Sequence, residues 1–321
     1  MKVPRPVRQG LRAGFVVLAL GLLARAVAGQ WHSVVDALHR MGVLSVLWSL
    51  LAAVVGLAFT MLAWRAILAD LGSRLPLRAA LRMFFLSQLG KYMPGTVWPY
   101  VAQMQMGREH GIPRRRSGVT GLVFVGLHCT TGLLVASALL PFASPHAAER
   151  YWWVLGALPI FLIVLHPRVL TPLLGHAFRL LRREPLDKPL SLRGTATACG
   201  FLLVTWCCYG LSVFALLAPL GVTGPRGVAI AIGGYGLAWS AGVMFLGLAP
   251  AGVGVREAAL IAALLPVLPI GPATAVAAIS RVVQTLGDAS WGLVALLVRG
   301  RTTEWAEPPV AVSEDSPSRS G

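Results

Sequence analysis

Met83–Met106 reads MFFLSQLGKYMPGTVWPYVAQMQM, an apolar run interrupted by Lys91 and by the pair Pro94-Gly95. Arg65, Arg74, Arg78 and Arg82 precede it, and Arg108, Arg114, Arg115 and Arg116 follow it. Basic residues concentrate in the cytoplasmic loops of membrane proteins, so both flanks are expected on that side. A segment whose two ends share a side does not span. The Pro-Gly pair would also break a spanning helix. The segment is therefore expected to be a re-entrant, broken helical pair. Such backbone is tolerated at membrane depth only where it packs in protein or lines a wet cavity.

The rest of the chain fits that reading. Of its 321 residues, 56% are hydrophobic and only 12% charged, and the mean hydropathy is +0.72. Soluble domains carry about a quarter charged residues. The chain is thus expected to be an all-α, polytopic membrane bundle of about eight spans plus the broken pair. The spans are expected at 13–28, 43–63, 119–140, 151–165, 196–217, 228–248 and 274–298, with a run at 258–268 too short to cross without its flanks. Val34, Val35, Leu38 and Met41 predict a short interfacial helix ahead of the second span. Arg168, Arg179, Arg182, Arg183, Lys188 and Arg193 mark a cytoplasmic loop. Residues 1–300 form one membrane domain in this reading. Residues 301–321 form a disordered tail, and both termini are cytoplasmic.

The net charge of +16 would suggest nucleic acid in a soluble protein. Here it lies in loops between apolar stretches, which fits the positive-inside bias and attraction to anionic headgroups, with no nucleic-acid platform. The N-terminus resembles a signal peptide, but Arg25 interrupts its apolar region just before the would-be cleavage site. Cys129, Cys199, Cys207 and Cys208 fall in apolar stretches without metal-ligand spacing. No metal or cofactor is expected. Walker A, HExxH and GxSxG motifs are absent from the sequence.

Chemistry is then left to a few polar residues in apolar surroundings. Arg281, Gln284 and Asp288 share one face of the last span, at spacings of three and seven. Arg281 and Asp288 are ~10 Å apart along the axis, too far to be expected as a pair. Ionisable groups at this depth face a bundle interior or a wet cavity. The stripe either meets a headgroup or ties the helix to Glu257 or the broken pair. Gly252 and Gly254 permit unusual backbone ahead of Arg256-Glu257. Arg256 at a helix start suits a phosphate, while Glu257 would equally serve as a cap. Lys91, Tyr92 and Trp98, around Pro94 and Gly95, either contact substrate or anchor at the interface. His128, near Thr130 and Thr131, is expected to pack with a hydrogen bond, a proton relay being the alternative. Arg108-Glu109 and Arg256-Glu257, each after a Pro/Gly break, suggest an internal echo of the kind that marks transporter sites.

Phe85–Trp98 resembles the K-Y-x-P-G-x-x-W segment of the lysylphosphatidylglycerol synthase transmembrane-region family. Pro250–Ala258 resembles its P-GG-G-RE motif, with Ala251 in place of a glycine. Ala277–Arg281, followed by Asp288, resembles its final helix. The resemblance implies a helical bundle in the bacterial plasma membrane that moves a lipid or supports a lipid-modifying pathway. Full synthases carry a further aminoacyl-transferase domain, so aminoacyl transfer is not expected here. The expected function is movement of a phospholipid or lipid-linked headgroup. The alternatives are a membrane-embedded transferase, or an accessory subunit of a lipid or polyprenyl-glycan pathway. Membrane lipids are the expected partners, with a second copy of the chain or a pathway enzyme left open.

Overall fold

The structure, a computed structural model, describes residues 31–92, 98–143, 156, 158–180, 190–244 and 254–298. The first expected span, the tail, Pro94, Gly95 and Gly252 lie outside them. The described residues form α1 (Trp31–Asp70), α2 (Leu77–Gln88), α3 (Trp98–Arg108), α4 (Arg114–Leu139), α5 (Leu158–Leu165), α6 (Pro167–Leu180), α7 (Leu192–Leu217), α8 (Gly224–Met244), α9 (Val255–Leu264) and α10 (Ile270–Leu297). The protein is an all-α membrane bundle. Four of these helices, α1, α4, α7 and α8, are long and apolar enough to cross a membrane. At 28 residues, α10 is ~42 Å long and could cross too, but it carries Arg281 and Asp288 near its middle.

Gly42 divides α1, with φ 64° and ψ 164° inside an otherwise continuous helix. Only glycine adopts that backbone without strain. The division separates the short helix expected around Val34–Met41 from the span that follows.

The broken pair is present as two helices of 12 and 11 residues, each too short to cross. α2 runs into a 3-10 turn, Leu89–Tyr92, and α3 returns beside it. Ahead of α2, Gly72 and Ser73 accept hydrogen bonds from Arg116, at 3.3 and 2.7 Å. Arg116 lies in the first turn of α4, shortly after α3 ends. The pair therefore enters and leaves at one end of the bundle. Asp70 closes the same end, accepting from the backbone and hydroxyl of Ser191, at 2.8 and 2.5 Å, where α7 begins.

The core centres on Trp64, Phe84, Phe85, Leu127, Trp206 and Leu216. α1 packs chiefly on α7 and α10, and α8 on α4, α7 and α9. In lipid there is little hydrophobic drive between helices, so close backbone approach matters. At Gly210 a Cβ would lie 2.5 Å from the Ile232 Cα, so α7 and α8 touch backbone to backbone. Gly210→Ala is expected to lose about 1–3 kcal/mol through overpacking. A thermal-melt series in detergent checks this, and an unchanged melting temperature would contradict the close approach.

The loop expected from Arg168 to Arg193 instead contains α6. Its arginines suggested a loop, but Pro167 and Leu170 are buried on one side of the helix and Arg168 and His176 are exposed. Amphipathic sequence at the end of an apolar stretch forms a surface helix. Pro167 restricts the residue before it, and the chain bends there, at His166.

Candidate functional site

The polar residues of α10 lie ~17 Å from its first residue (Arg281) and ~14 Å from its last (Asp288), straddling its midpoint. Each meets a different neighbour. Lys91 Nζ lies 2.6 Å from Asp288 Oδ2. Arg281 Nε lies 3.7 Å from Glu257 Oε1.

The two partners come from the edges of the two breaks. Lys91 sits in the 3-10 turn just before residues 93–97, and Glu257 just after the break that ends at Gly254. The first break offers a cation to the carboxylate of α10, and the second offers a carboxylate to its guanidinium. One helix thus binds both Lys91 and Glu257. The turn before residue 93 also packs on α10 directly, because a Cβ at Gly292 would lie 3.2 Å from Leu89. Phe85 of α2 stacks on Trp291 of α10 at 4.7 Å and 4°. The Trp291 indole donates to the Val54 carbonyl of α1 at 2.8 Å.

Glu257 has a second task. Gly254 precedes α9 with φ 86°, and its N–H donates to Glu257 Oε2 at 2.7 Å. This is the half of a capping box in which the third helical residue reaches back to the cap. The cap and the ion pair are thus two oxygens of one carboxylate, and both sequence readings of Glu257 apply in part.

Arg256 points elsewhere. Its guanidinium donates to the Tyr235 hydroxyl and lies 4.7 Å from the Tyr235 ring centre. Tyr235 packs on Tyr209 at 5.4 Å, and the Tyr209 hydroxyl shares a 3.0 Å hydrogen bond with Thr60. Arg256, Tyr235, Tyr209 and Thr60 therefore form a line through α9, α8, α7 and α1. Arg256 and Glu257 are neighbours in the first turn of α9, so this line meets the Arg281 ion pair there. Sequence reasoning missed Tyr209 and Tyr235. The available signal was a tyrosine mid-way along an apolar helix, whose hydroxyl needs a partner when buried.

Gln284 lies on the same face of α10, between Arg281 and Asp288. It is 8% exposed, and its Nε2 has no hydrogen-bond partner among the described residues. Trp98 opens α3 and is exposed. The side chain of Tyr92 lies outside the described residues, as do Pro94, Gly95 and Gly252.

His128 corrects an expectation. It is 1% exposed and boxed by Trp239 at 3.9 Å, Trp206 at 4.7 Å and Phe124 at 5.3 Å. Neither ring nitrogen has a hydrogen-bond partner among the described residues. The neighbouring threonine hydroxyls return to their own helix, Thr130 to Gly126 and Thr131 to Leu127, each at 2.8 Å. Thr131 also accepts from the Trp206 indole at 3.0 Å. Hydroxyls in apolar helices find their own i−4 carbonyls first, which left the imidazole to the aromatic rings.

The suggested echo of Arg-Glu pairs is not matched in space. Arg108 ends α3 and is exposed, while Arg256 and Glu257 open α9 inside the bundle. In the first half it is Lys91, before the break, that reaches α10.

The family model for the lysylphosphatidylglycerol synthase TM region matches residues 12–292. No curated protein matches the chain.

Proposed function

The chain belongs to the lysylphosphatidylglycerol synthase TM-region family, whose members handle lipid, and from that premise we propose that it carries an anionic lipid headgroup past the middle of the membrane while the acyl chains remain in lipid. The observation that carries this reading is the pair of ion bridges on α10, set at its mid-length and made to Lys91 and Glu257. Charged groups at that depth are costly. A cluster that balanced itself would need no further anion. Among the described residues this one joins three cations, Lys91, Arg256 and Arg281, to two carboxylates, Glu257 and Asp288. The breaks themselves, 93–97 and 245–253, contain no ionisable residue. An anionic headgroup would meet these cations at mid-length of α10.

The test is translocation of fluorescent lipids in proteoliposomes, wild type against Arg281→Ala, over anionic, aminoacylated and polyprenyl-phosphate lipids. Wild type is expected to move one class. Losing a charged contact to the headgroup should slow it by about 10- to 100-fold. If folded wild-type protein moves no lipid, the reading is wrong and the transferase or accessory reading takes its place.

A further inference from the structure

The two ion bridges leave one polar group on the inner face of α10 unexplained. Gln284 lies ~5 Å along the axis from Arg281 and ~6 Å from Asp288. It is more than nine-tenths buried, yet its amide nitrogen donates to nothing among the described residues. Buried donors are nearly always met, and leaving one unmet is costly. Methionine fills much the same volume and carries no such penalty. A glutamine at this place, between Arg281 and Asp288 along the helix, suits a further acceptor.

Building on the headgroup reading above, we propose that Gln284 is a specificity-determining contact, its Nε2 donating to a phosphate oxygen of the bound headgroup. Arg281 and Arg256 supply the charge that draws the anion. Gln284 supplies direction, because an amide N–H must point at an acceptor whereas a cation attracts from any side. A site built around such a donor discriminates against ligands that present no oxygen there.

The proposal carries a sign that a structural role would not. Gln284→Met removes an unmet donor from the empty protein, so its melting temperature without ligand should stay level or rise. Its affinity for a phosphate-bearing headgroup should fall by about 10- to 100-fold. Gln284→Glu should lower affinity further, since it puts a third carboxylate beside the anion.

Binding is read as thermal stabilisation of the full chain in detergent by dihexanoyl phosphatidylglycerol, with inorganic phosphate as the second arm. The expected result is stabilisation by the short-chain lipid that Gln284→Met largely removes. If Gln284→Met lowers the melting temperature of the empty protein and leaves affinity unchanged, the proposal is overturned. Absence of binding to wild type by both probes overturns it as well. If inorganic phosphate alone binds with the same dependence on Gln284, the contact stands and the lipid reading fails. If the short-chain lipid binds but vesicle translocation is absent, the contact stands and only transport is lost.

Discussion

Glu257→Ala is expected to be the most damaging single substitution in the described bundle, at about 4 kcal/mol. One carboxylate holds the cap of α9 through Gly254 and bridges to Arg281. Loss of a cap costs about 0.5–2 kcal/mol, and removing one partner of a buried ion pair costs about 3–5 kcal/mol. The two do not simply add, because one group serves both. Against a typical total of about 5–15 kcal/mol, the loss should lower the melting temperature in detergent by on the order of 10 °C. Glu257→Gln separates the two roles, since its carbonyl can still accept from the Gly254 N–H but carries no charge. It should recover part of the stability and none of the lipid movement. A fall of less than roughly 2 °C for Glu257→Ala would mean that the carboxylate is not coupled to Arg281 in the way described.

Asp288→Ala is expected to reduce lipid movement to below about a tenth of wild type, because Lys91 loses the carboxylate that holds it against α10. It should also remove on the order of 2 kcal/mol of stability. That figure lies between the values for buried and exposed pairs, because Asp288 is buried at 5% while a third of the Lys91 side chain is exposed. The sharper measurement is a double-mutant cycle of Lys91→Ala and Asp288→Ala, read by thermal melting. Direct contact at 2.6 Å predicts a coupling above about 0.5 kcal/mol. Exchanging the charges, Lys91→Asp with Asp288→Lys, should restore stability more fully than lipid movement, since the headgroup would then meet the wrong sign. Additive single losses would show that the bridge is not energetically real.

The architecture was readable wherever backbone chemistry and charge acted locally. Pro94-Gly95 between two basic flanks announced a pair of short helices whose outer ends lie together. The bond from Arg116 to Ser73 is the structural form of that statement. The spacing of Arg281, Gln284 and Asp288 placed all three on one face. What spacing could not supply was the rotation of α10 against its neighbours, and so which partner each charge would find. Glu257 and the broken pair were both open as partners, and the structure uses both, one for each charge. A buried tyrosine at Tyr235 was signalled by its place in an apolar helix, but not its partner, since that depends on Arg256 arriving from another helix. α6 was missed because its arginines were weighed before the buried side of Pro167 and Leu170.

Seven residues separate Arg281 from Asp288, and at about 100° per residue that is two turns less ~20°. The two charges therefore stand almost directly one above the other, like two keys cut on one shaft. A roll of α10 about its own axis carries both through equal arcs, so Lys91 and Glu257 are released together. A tilt swings the ends of the shaft unequally and releases one before the other. Which of the two bridges opens first, or whether they open at once, thus distinguishes turning from tipping in this helix.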